Sequence, residues 1–86
     1  MTVLHANLNG NLYSVEFTEL FLNKLEEQPT NTLKSVIFML ERSEEEILSA
    51  IIGESFFLVG DEYSVEGVRT EGNIELIRLI PSSHVL

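Results

Sequence analysis

Residues Thr32 to Ile80 read TLKSVIFML ERSEEEILSA IIGESFFLVG DEYSVEGVRT EGNIELIRLI, and a change of period inside that stretch decides the fold class. Leu33, Val36, Ile37 and Leu40 recur at helical spacing, although Val36-Ile37-Phe38 also suits a strand, so Leu33 to Leu40 has two readings. Ser43-Glu44-Glu45-Glu46 has the form of a capping box, the Ser43 hydroxyl accepting from the Glu46 amide. It predicts a helix with Ile47, Leu48, Ile51 and Ile52 as its buried stripe and Gly53 as its left-handed end. Beyond Gly53 the period shortens to two. Ser55 to Val59, Tyr63 to Thr70 and Ile74 to Ile80, parted by Gly60-Asp61 and Glu71-Gly72-Asn73, predict a three-stranded antiparallel meander that Pro81 stops.

A three-residue loop between the last two strands would set Arg69 against Glu75 and Glu66 against Arg78, two opposite-charge pairs. The same register divides the apolar side chains, with Phe56, Leu58, Tyr63, Val65, Ile77 and Leu79 on one face and Phe57, Val59, Val68, Ile74 and Leu76 on the other. Antiparallel sheets that face water alternate cleanly, so apolar groups on both faces imply that both are covered.

Upstream, Asn9-Gly10 is a strong type I′ turn signal, and closing on it pairs Leu8 with Asn11, Ala6 with Tyr13 and Leu4 with Val15. His5, Ser14 and Glu16 then share the opposite face. From Thr18, a capping residue, Leu20, Phe21, Lys24 and Leu25 continue from Phe17 at helical spacing until Pro29 forbids extension. The fold expected is α+β: an N-terminal β-hairpin, two or three short helices and a C-terminal three-stranded antiparallel meander. It forms a single domain over residues 1–86, with residues 81–86 as a loose tail.

A chain of 86 residues buries only about 60 to 65% of its unfolded surface, which leaves a thin stability margin that association would widen. It has no cysteine, which removes disulfide staples, thiolate catalysis and zinc-thiolate sites, and suits a reducing compartment. No basic segment followed by an apolar one opens the chain, and no apolar run approaches the roughly 18 residues of a membrane span. The expectation is a soluble cytoplasmic protein. Five basic against fourteen acidic residues give a net charge of −9, a field that repels nucleic acid and anionic lipid. A hydrophobic fraction of 44% is still enough to fold.

Catalysis has little support. Glu44, Glu45 and Glu46 fall in a helix's first turn, where the helix dipole favours negative charge, and no calcium-loop pattern accompanies them. Asp61-Glu62 follows Gly60 in what reads as a hairpin turn. His5 and His84 lie near opposite ends of the chain with no nucleophile elbow and no metal-ligand spacing between them. The scattered glycines form no phosphate loop. A winged-helix reading of the segment Ser43 to Ile52 fails on charge, since groove binding needs Lys or Arg there.

These features predict no cofactor, no metal site and no catalytic residue. They describe a small acidic non-enzymatic interaction or regulatory module, a homodimer built on the C-terminal sheet. The expected partner contacts are Glu44 and Glu45 on the acidic helix, and Phe57, Val59, Val68, Ile74 and Leu76 on the second sheet face. An alternative is an acidic inhibitor that occupies the basic groove of a nucleic-acid-binding protein, with a basic protein as partner. A third is a small enzyme with its site at a dimer interface.

Overall fold

A computed structural model describes residues 4–82. In chain order the elements are β1 (Leu4–Leu8), β2 (Asn11–Phe17), α1 (Glu19–Leu25), α2 (Thr32–Arg42), α3 (Glu44–Ser49), β3 (Ser55–Val59), β4 (Tyr63–Arg69) and β5 (Asn73–Pro81). The segment with two readings is helical: Leu33 to Leu40 lies within α2, and its Val36 and Leu40 are fully buried.

The expected hairpin and meander are parts of one sheet. Its five strands run in the order β1-β2-β5-β4-β3, and β5 lies parallel to β2, with Val15 beside Ile74 and Phe17 beside Leu76. The sheet is therefore mixed rather than a separate antiparallel meander. Nothing local announces this join, because β2 and β5 are brought together by a crossover through all three helices and two strands. Thr18 secures it: its N–H donates to Leu76 O (3.0 Å) and its hydroxyl donates to Ile77 O (2.7 Å). The same hydroxyl accepts from Phe21 N–H (3.1 Å), so one side chain caps α1 and ties it to the central strand.

At the β1–β2 turn, Asn9 (φ 55°) and Gly10 (φ 86°) both take the left-handed conformation, and Leu4, Ala6 and Leu8 stand opposite Val15, Tyr13 and Asn11. Between β4 and β5 the register slips by one residue at Glu66/Gly67, which is a β-bulge. On the turn-distal side Glu66 faces Arg78, but past the bulge Arg69 faces Ile74 and Glu75 faces Val68. The expected Arg69–Glu75 pair does not form. Arg69 Nη1 donates instead to Ala50 O (3.2 Å), beyond the end of α3.

The slip also changes the face assignment. Ile77 is the extra residue, so Ile74, Leu76 and Leu79 all point to the same side, where they are buried with Phe56, Leu58 and Val65. Phe21 of α1, Val36, Met39 and Leu40 of α2 and Ile47 of α3 complete this one core, together with Ala6, Leu8, Tyr13 and Val15 of the hairpin. Each fully buried side chain of this size stabilises the fold by about 1.5–3 kcal/mol. All three helices thus cover one face of the sheet.

The helical layer departs from expectation at α3. Only Ser43 separates it from α2, and the Ser43 hydroxyl makes no cap bond; the Ser43 N–H instead donates to Met39 O and Leu40 O as the end of α2. A third helix does begin after Ser43, as the spacing predicts, but without the side-chain bond of a capping box. α3 ends at Ser49, Ala50 is extended, and Ile51 and Ile52 are exposed rather than part of a buried stripe. Pro81 closes β5, and residues 83–86, with His84 and most of the expected tail, lie outside the described residues.

Candidate interaction surface

The two edges of the sheet are treated differently. Along β1, the outward N–H of Asn7 donates to Glu41 Oε2 (2.8 Å), and the N–H of Asn9 in the turn donates to Glu44 Oε1 (3.1 Å). Carboxylates at the end of α2 and the start of α3 therefore satisfy main-chain donors that an incoming strand would need. Charge and coverage at an edge are the usual protections against unwanted pairing.

β3 carries no such device. Its sequence, Ser-Phe-Phe-Leu-Val, has no charge and no proline. Among the described residues it pairs only with β4, Phe56 opposite Gly67 and Leu58 opposite Val65. The Gly60 N–H donates to Tyr63 O (3.0 Å) and closes the turn. Alternation of the antiparallel ladder from that closing pair aims the N–H and C=O groups of Ser55, Phe57 and Val59 away from β4. On the uncovered face, Phe57 is 50% and Val59 77% exposed.

The rest of that face is mixed. The row through Phe57 runs to Glu66 and Arg78, whose Arg78 Nε and Glu66 Oε1 meet at 2.6 Å, and the row through Val59 runs to Ser64 and exposed Ile80. Val68 lies half-buried between Ser55 and Glu75. Phe57, Val59 and Val68, expected as contacts, thus share one accessible surface. Ile74 and Leu76 do not belong to it: both are fully buried under the helices, because the bulge moved them to the core face. Of the acidic pair, Glu45 is exposed, whereas Glu44 is engaged by Asn9.

Sequence reasoning missed two features. Glu41 acts on a strand thirty-four positions away, and no local pattern signals that. Phe38 lies off the buried stripe of α2, 59% exposed, with the Arg42 guanidinium 5.1 Å from its ring centroid. Phe38 forms a ridge between two hollows. The larger, of about 810 Å³, lies along Leu4, Leu33, Lys34 and Ile37. The smaller is walled by Ser35, Arg42 and the turn at Gly60 to Tyr63. The Tyr63 hydroxyl has its pKa raised mainly by burial and secondarily by Glu62, against the hydrogen bond with Ser35 and the charge of Arg42. The exposed aromatic at an off-stripe helical position was the one available signal for this ridge.

Among the described residues, no three His, Asp or Glu side chains converge as a metal site would require, and no helix is long and apolar enough to cross a membrane. His5 stands opposite Ser14 on the uncovered face. Compared with known proteins, the chain matches no family model, no curated protein and no solved structure at significant similarity.

Proposed function

We propose that this domain is a non-enzymatic protein-interaction module that works as a homodimer, associating through the β3 end of its sheet. The observation that carries the reading is the asymmetry of the sheet: one edge is occupied by carboxylates of its own helices, while the other leaves Phe57 and Val59 exposed beside unused main-chain groups. Ile51 and Ile52, 66% and 49% exposed just ahead of β3, enlarge the apolar area on that side. Burying such surface is the remedy open to a chain whose own core is small. The chain's charge of −9 opposes close association in general, and β3 is the uncharged stretch where that opposition is least.

Light scattering on the purified protein at micromolar concentration tests the reading. A mass of about 20 kDa, twice the 9.7 kDa chain, is expected, with Val59→Lys returning the mass to that of one chain. A monomer in both cases would refute it.

A further inference from the structure

We infer that the two copies join edge to edge, β3 against β3 in antiparallel register about a two-fold axis at Phe57, so that two five-stranded sheets become one of ten strands. This rests on the homodimer reading above and adds the mode of contact. Stacking of the two uncovered faces is the competing arrangement.

Three features favour the edge. The first is main-chain geometry: Ser55, Phe57 and Val59 point their N–H and C=O groups outward, at every second residue, as an antiparallel partner requires. A two-fold axis at Phe57 lets the two Phe57 residues exchange both hydrogen bonds, and each Ser55 do so with the opposite Val59.

The second is charge. The nearest carboxylates along the chain are Glu54 and Asp61. In this register Glu54 falls opposite Gly60 of the other copy and Asp61 opposite Gly53, so no like charges face each other. A shift of the axis toward Glu54 would bring the two Glu54 side chains together, which is unfavourable. At this register the segment meets its own copy with matched outward main-chain groups and no directly opposed carboxylates, which favours a second copy as the occupant.

The third feature is the composition of the uncovered face. Glu16 and Glu75 stand side by side across β2 and β5, and Glu66 and Arg78 occupy its middle. Face stacking would bury these charges, and removing them from water is costly. Edge pairing leaves them solvated. It also brings the two Phe57 rings together, and each Val59 over the opposite Ser55, on the same surface of the joined sheet.

Because the chain has no cysteine, introduced thiols report the register without background. Directly opposed, hydrogen-bonded residues of an antiparallel pair have Cα atoms about 5.5 Å apart, within disulfide range. Ser55→Cys and Val59→Cys, each oxidised alone, place equivalent positions roughly 13 Å from their copies. The expected result under mild oxidation with glutathione is little covalent dimer for either variant alone and at least tenfold faster cross-linking when the two are mixed. Phe57→Cys should cross-link with itself at a comparable rate, and Leu12→Cys, on an equally exposed site remote from β3, should not. Equal rates for the single and mixed samples overturn the register even where light scattering still shows a dimer. Amide exchange gives a second reading that needs no substitution in β3: the Phe57 and Val59 N–H groups should exchange at least tenfold more slowly at concentrations where the dimer forms. Their unchanged rapid exchange in a sample shown to be dimeric would establish face stacking instead.

Discussion

The β1 and β3 edges belong to the same sheet and end it at opposite sides, yet among the described residues one is closed from within and the other is bare. β1 alternates clean inward apolar residues with outward polar ones, and Glu41 and Glu44 reach back to Asn7 and Asn9. β3 is as short, but its outward positions are Ser55, Phe57 and Val59, and no helix side chain hydrogen-bonds it. The difference teaches that edge protection here is tertiary. The strands do not carry it in their own residues; the end of α2 and the start of α3 supply it to β1, by setting two glutamates three positions apart over one edge.

Unseating the bare edge should have the largest effect on stability. Phe56 fills the space over Gly67, where an added Cβ would sit 2.7 Å from Phe56 Cζ and 3.0 Å from Glu75 O. Phe56→Ala should cost about 3–5 kcal/mol in a urea titration, since the ring is buried and leaves a cavity above a residue with no side chain to fill it. A loss under 1 kcal/mol would mean that β3 is not held by that contact.

Opening the closed edge comes next. Glu41→Ala together with Glu44→Ala removes two charge-assisted acceptors at exposed main-chain donors, and a loss of about 1–2 kcal/mol is expected in the same titration. With two bare edges the sheet can extend in both directions, so species larger than the dimer should appear on light scattering. A double variant with unchanged mass would show that Glu41 and Glu44 serve stability alone.

Two substitutions should hardly disturb the fold. Val59→Lys replaces a residue that is 77% exposed, and its stability change should stay within about 0.5 kcal/mol while dimerisation is lost. Ser43→Ala removes a hydroxyl that makes no cap bond, and its midpoint should also move by less than about 0.5 kcal/mol. A loss of 1 kcal/mol or more there would restore the capping role that the sequence pattern suggests.

What could be read along the chain was what depends on near neighbours. Periodicity marks the strands after Gly53, whereas residues 33–40 fit helix and strand alike and are settled only by their packing in α2, and the Asn9-Gly10 dipeptide needs no distant contact to adopt its turn. Phe57, Val59 and Val68 were legible as surface candidates because alternation in β3 and β4 is regular. Ile74 and Leu76 were misassigned because one inserted residue, Ile77, inverts the facing of everything between it and the preceding turn. The Ser43 pattern misled only as to the cap. α3 does start after Ser43, but α2 ends on the same residue, so the Ser43 N–H is turned to the carbonyls of Met39 and Leu40 and its hydroxyl makes no cap bond.

Local chemistry alone set most of the element types, though not that of residues 33–40, together with the acidity and the uncharged character of the Ser55 to Val59 strand, all of which follow from side-chain chemistry and separations of a few residues. Only the tertiary structure decided the parallel β2–β5 pairing, the bulge that sends Ile74 and Leu76 into the core, and the choice of which edge Glu41 and Glu44 would close. The parallel pairing and the edge closure depend on contacts between segments thirty to sixty residues apart, and the bulge, though it joins neighbouring strands, on which side chains the helical layer accepts; packing one helical layer onto one sheet face sets these energies and leaves no mark in local spacing.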